Sequence, residues 1–292
     1  MNLFVFNEHN CGKAPQTTLS LRIPMTTCLD FAPAREDALV TFSDPATGRT
    51  LSLRLAGNPS ERAKASALVA RMYAARGYRT EGLLPEGPRY LTFLLSEDGG
   101  RDLGTVTVGA GESGLRAEES YREEIAALRG QGRTLCEFNA LAVLPGHGSA
   151  TALARLFHAA LLAGGPLLGH TDGVVEVNPT HVKFYERILG FERVGTMKSC
   201  PRVEAPSFLL SFNFAKTLER AEKAAGQPTR SRSFFPLSFG KEMAESLLKK
   251  LTVRIFSPAR ILRIPHTGSF QSFPEGGHDV PYRSGHRPSV PA

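Results

Sequence analysis

At 292 residues with 41% hydrophobic content, the chain can bury one large core or two small ones and reads as a soluble globular protein. Four widely separated cysteines (Cys11, Cys28, Cys136, Cys200) form no C-x-x-C pair, so a zinc site and a disulfide framework are both unsignalled and a reducing cytoplasm is expected. The net charge of +7 is concentrated at the end: residues 221–292 carry 11 Lys+Arg against 5 Asp+Glu, leaving the rest near neutrality.

The opening MNLFVFNEHN is too polar for a secretory signal, and no run approaches the ~20 apolar residues of a membrane-spanning helix. Residues 1–45, punctuated by four prolines, read as an N-terminal extension with one strand near Leu19 to Ile23. From Thr50, TLSLRLA alternates as a strand. ERAKASALVARMYAARGY then places Ala63, Ala67, Leu68, Met72 and Tyr73 at helical spacing before Gly77. RYLTFLLSE and DLGTVTVG flank the turn signal EDGGR and predict a hairpin. AEESYREEIAALRGQG predicts a charged amphipathic helix with Glu118, Glu119, Glu123 and Glu124 on a solvated face. LCEFNALAVL follows as a strand and SATALARLFHAALLAGG as a largely buried helix.

VVEVNPTHVKFYERILGFERVG is the sharpest local signal. Three valines suit a buried strand, Asn178 is a possible cap, and Pro179 fits the first helical turn. Val182, Tyr185, Ile188 and Leu189 share one apolar face, and Gly190 ends the helix. PSFLLSFNF is a last strand, LERAEKAAGQPTRSRS a helix fading into a linker, and KEMAESLLKKLTVRIF an amphipathic helix with Met243, Leu247, Leu248, Leu251 and Ile255 on one face and lysines opposite. The Gly-, Pro- and Ser-rich end from Pro265 has the composition of a disordered tail.

This order of elements resembles the GNAT acyltransferase superfamily, and NPTHVKFYERILGF is similar to its N-P-x-A-x-x-F-Y-x-x-x-G-F segment. GRTLCEFNALAV, LARLFHAALL, TDGVVEVNPTHVKFYERILGF and CPRVEAPSFLLSF resemble in particular the long-chain N-acyl amino acid synthases of FeeM type. The resemblance implies an α/β fold with a central mixed, twisted sheet, splayed middle strands, flanking helices and additional C-terminal helices. It divides the chain into an extension (1–45), a core (46–216), a helical segment (217–264) and a tail (265–292). It further implies transfer of a long-chain acyl group from a phosphopantetheine thioester to the amino group of an amino acid. No bound cofactor and no metal are expected, since His147, His158, His170 and His181 lack ligand spacing.

Acetyl-CoA users of the superfamily carry Q/R-x-x-G-x-G/A, whose amides grip a pyrophosphate. Here the corresponding run is Val143-Leu144-Pro145-Gly146-His147-Gly148, leading into Ser149. Without the Gln/Arg, this short loop suits the single phosphate of an acyl carrier protein better than CoA. Alternation along LCEFNALAV puts Leu135, Glu137, Asn139, Leu141 and Val143 on one face. Glu137 among apolar neighbours suits a general base, its structural alternative being a salt bridge to Arg133. Amides near Leu141, Ala142 and Val143 could stabilise an oxyanion, Tyr185 could protonate the leaving thiolate, and Asn178 could bond the pantetheine amides. Cys136 and Cys200 read as small hydrophobes. Rival readings are an acyl-homoserine lactone synthase, disfavoured by the lack of Trp, a CoA-dependent N-acetyltransferase, and a non-catalytic binding module. Acyl carrier protein is the expected partner, peripheral membrane contact through the basic helix a further one, and nucleic acid is not expected.

Overall fold

The computed structural model describes residues 38–111, 114–146, 149–227 and 234–256. All of these except Phe256 belong to one compact unit. The strand expected near Leu19 to Ile23, the linker at 228–233 and the tail from Pro265 lie outside the described residues.

One eight-stranded sheet organises the chain, in the order β1-β2-β3-β4-β5-β6-β8-β7. Its first half is an antiparallel meander of β1 (Val40–Ser43), β2 (Thr50–Leu55), β3 (Tyr90–Glu97) and β4 (Asp102–Ala110). The short edge strand β1 falls inside the stretch read as an extension, so the sheet begins before residue 46. The β3–β4 hairpin turns as predicted, with Gly99 and Gly100 at the positive φ its tight turn requires.

Strand β5 (Leu135–Val143) pairs antiparallel with β4 on one side and parallel with β6 (Asp172–Val177) on the other. Beyond them β8 (Ala205–Asn213) lies between β6 and β7 (Glu192–Cys200). Helices α1 (Pro59–Ala74), α2 (Glu118–Gly130), α3 (Ala150–Leu162), α4 (Pro179–Phe184), α5 (Phe214–Ala224) and α6 (Lys241–Phe256) complete the unit. With its π-helical extension, α3 is apolar and long enough to cross a membrane by composition, but 78% of that segment is buried in the protein.

The four residues predicted to line one face after Asn178, namely Val182, Tyr185, Ile188 and Leu189, are all buried. Residues 185–189 wind as a π-helical turn, which Gly190 closes at φ 72°. Helix α6 applies Leu247 and Leu251 to the main core, with Met243 and Ile255 beside them. That face is therefore covered by the protein itself rather than left for a membrane. The backbone N–H of Phe239 donates to Nδ1 of buried His158 at 3.1 Å and pins this C-terminal segment to α3. The acidic face of α2 is not simply solvated: Glu118, Glu119 and Glu124 pair with Arg129, Arg202 and Lys198.

Candidate active site

The two central strands part. β5 and β6 keep register only from Leu135/Asp172 to Phe138/Val175 and then diverge. On its other side β5 carries a bulge: Thr107 pairs with Asn139 and Thr105 with Ala142, so Ala140 and Leu141 together oppose Val106. Ala140 takes φ 50°, a left-handed conformation costing an alanine about 1–2 kcal/mol. The bulge and the parting of β6 leave Ala140 and Leu141 without a register partner on either neighbour, where the strands diverge.

The bulge also corrects the predicted alternation. Opposed residues share a face, so Ala142 joins Thr105, Thr107 and Asn139, whereas Val143 moves to the other face. Glu137 and Asn139 remain on one face as expected; Val143 does not join them.

A cavity of about 130 Å³ lies in the fork. Asn139, Ala140 and Leu141 line it from β5, and Glu176, Val177, Asn178, His181 and Tyr185 from β6 and α4. Tyr73, Arg76 and Tyr78 contribute from the end of α1, Arg116 from the approach to α2, and Cys200, Arg202 and Ser207 from the β7–β8 hairpin. Asn178 both lines the cavity and caps α4, its Oδ1 accepting from Thr180 N at 3.0 Å. Tyr185 is 5% exposed, and burial, reinforced by Tyr73, raises its pKa so that the phenol stays protonated.

Glu137 is 1% exposed and does not line the cavity itself, but it holds the backbone of Arg116, which does. Its Oε2 accepts the backbone N–H of Arg116 at 2.6 Å and of Ala117 at 3.3 Å, which fixes the entry to α2. Oε1 is buried and has no hydrogen-bond partner among the described residues. Burial pushes the carboxyl up to about 7 against the opposing pull of Arg202 and the two amides. Arg133, the alternative partner, instead pairs with Asp172 at 3.2 Å.

The described residues of the predicted phosphate loop, Val143 to Gly146 and Ser149, are not part of the cavity wall. Ala142 and Val143 are buried, Gly146 turns at φ 72°, and Ser149 caps α3 by accepting from Ala152 N at 2.9 Å. His147 and Gly148 lie outside the described residues. Burial pushes the Cys200 thiol up to about 11 and Cys136 higher still, which suits neither to nucleophilic attack.

The residues missing from the sequence reading form a charged group along one side of the cavity. Arg202 donates from NH1 to Arg116 O at 2.6 Å and to Glu119 at 2.9 Å, and from NH2 to Glu176. Glu176 also accepts from Ser207 Oγ at 2.6 Å. Burial opposes the charge on Arg202, but Glu176 and the other acidic neighbours outweigh it and raise the guanidinium pKa. Glu176 carried the same signal as Glu137, a carboxylate inside a run of valines. Arg202 carried none, since only the folded hairpin brings it to the fork.

The family described as N-acyl amino acid synthase FeeM matches residues 64–213. Among solved structures, FeeM, an N-acyl amino acid synthase from uncultured soil microbes, superposes with a TM-score of 0.53 at 28% identity, covering 59% of this chain and 94% of that one. A spermidine N-acetyltransferase from Vibrio cholerae gives 0.38 at 16% identity, covering 57% and 98%. Comparison with curated proteins gives no match. With its forked sheet on a GNAT-type fold, the chain belongs to the FeeM family of N-acyl amino acid synthases and is an N-acyltransferase.

Proposed function

We propose that the protein transfers a long-chain acyl group from the phosphopantetheine thioester of an acyl carrier protein to the α-amine of an amino acid. The observation that carries this reading is the fork itself. A bulged stretch without register partners opens onto a cavity whose wall holds both a carboxylate and guanidinium groups. A thioester lying between the strands presents its carbonyl to the amides at Ala140 and Leu141, which stabilise charge as it develops on oxygen. The acceptor amine attacks that carbonyl and loses a proton to Glu137 Oε1, directly or through one water. The tetrahedral adduct collapses to the amide, and Tyr185 returns a proton to the departing thiolate.

Carrier protein rather than CoA is favoured by the loop from Val143 to Ser149, which lacks the Gln/Arg and offers little to a pyrophosphate. The test is to incubate the purified protein with acyl carrier protein or acyl-CoA bearing the same chain and a panel of amino acids, with products read by mass spectrometry. Amide-linked acyl amino acids are expected, with kcat/KM at least about tenfold higher for the carrier. Equal kcat/KM for the two donors would reject the carrier, and absence of acyl amino acids the acceptor.

A further inference from the structure

Three arginines reach the cavity, and their partners distinguish them. Arg116 donates its guanidinium to the carbonyls of Leu83 and Gly82, and Arg76 meets His181 Nε2 at 2.9 Å. Arg202 instead forms an ion pair with a carboxylate that also lines the cavity, Glu176, and the two side chains are 14% and 5% exposed.

Their remaining valences matter. A guanidinium has five N–H donors. Two on Arg202 go to Arg116 O and Glu119 and one to Glu176, so Nε–H and one NH2 hydrogen have no partner among the described residues. Glu176 accepts from Ser207 on one oxygen and from Arg202 on the other, with the Cys200 thiol a third donor to the carboxylate, which leaves one of about four acceptor positions open. The pair is thus rigidly held from α2 and β8 yet has bonding capacity left at a cavity wall.

We propose that the Arg202–Glu176 pair is the docking point for the acceptor's zwitterionic head, Arg202 taking the α-carboxylate and Glu176 the α-ammonium; this rests on the amino acid acceptor argued above. A zwitterion carries its opposite charges a few ångströms apart, as the pair does. Laid head to tail on it, each charge meets its opposite, and the desolvation of four buried charges is offset by their mutual attraction. A primary amine without a carboxylate leaves the two open donors of Arg202 unused, and an amino acid amide offers them no charge. The amine held at Glu176 shares the cavity with the bulge at Ala140 and Leu141. Glu137 remains the proton acceptor, since its Oε1 has no partner among the described residues while both oxygens of Glu176 are engaged.

The test compares three acceptors with one side chain: the free amino acid best used in the panel, its carboxamide, and the decarboxylated amine. With the wild-type protein, kcat/KM is expected to fall at least about 100-fold for both analogues. R202K keeps the charge but loses the planar fork, so KM for the amino acid should rise about tenfold or more, and the preference for the amino acid over the amine should shrink by about tenfold or more relative to wild type. Similar use of all three acceptors by the wild type, or an equal loss for amino acid and amine in R202K, overturns the assignment. The wild-type comparison decides on its own if R202K does not fold. Acylation of simple amines with no acyl amino acid product overturns the acceptor reading and this assignment together.

Discussion

In the proposed mechanism Glu137 does two jobs with two oxygens. Oε2 is committed to the amides of Arg116 and Ala117, and Oε1 is left for chemistry. Glu137→Gln keeps an acceptor for the amides, so the variant should fold while acyl transfer falls by about 10²–10⁴-fold. As the base works deprotonated, the wild-type rate should rise with pH through about 7, and the variant should lose that limb. Stability moves the other way. The folded-state pKa is raised above the ordinary 4.5, so the contribution is fully present below about 4.5 and is lost as pH rises through about 7. Thermal unfolding at pH 5 and pH 8 should therefore show a smaller drop for Glu137→Gln than for wild type. Tyr185→Phe should slow turnover only about tenfold, because a thiolate leaves readily without a proton. An unchanged kcat would return Tyr185 to a packing role. Glu137 was legible because a carboxylate in an apolar strand is conspicuous; Glu176 carried the same signal and was passed over. Arg202 was not, because its neighbours in sequence differ from its neighbours in space.

At the scale of elements, periodicity carried most of the fold: the hairpin, the buried helix α3 and the strand-to-helix turn at Asn178 all follow from spacing and caps. The bulge in β5 did not, since one extra residue is defined only against the partner strand it fails to match. Its strain gives a test. Ala140→Val, placing a β-branched side chain at positive φ, should cost about 1–3 kcal/mol, whereas Ala140→Gly should stay within about 1 kcal/mol of wild type, measured by denaturant unfolding. The short strand β1 was hidden because four residues give too little alternation to separate from a proline-rich surrounding. Helix α6 was visible as amphipathic, but what covers its apolar face could not be read from its own sequence. Leu247→Ala or Leu251→Ala should lower stability by about 2–5 kcal/mol, as for core leucines elsewhere. A change under about 0.5 kcal/mol would detach that helix from the core.

For the whole molecule, the excess of positive charge predicts how it would meet the proposed acidic carrier. Association, and so kcat/KM for the carrier-bound donor, should fall as salt rises from 50 to roughly 500 mM, with a much weaker effect on kcat. A flat salt response would argue against charge-guided docking. The position of β8 bears on how the protein comes to be folded at all. It is synthesised after β7 yet lies between β7 and β6, so β7 has no native partner and β6 only β5 until residue 213 has been made. During translation β6 and β7 are then two open edges able to pair wrongly with each other or with another nascent chain. A chain stopped just short of residue 205 should accordingly be captured by chaperones or aggregate, and one extended through α5 should escape. Such a difference would make the last strand of the sheet the step that commits the newborn chain to its native form.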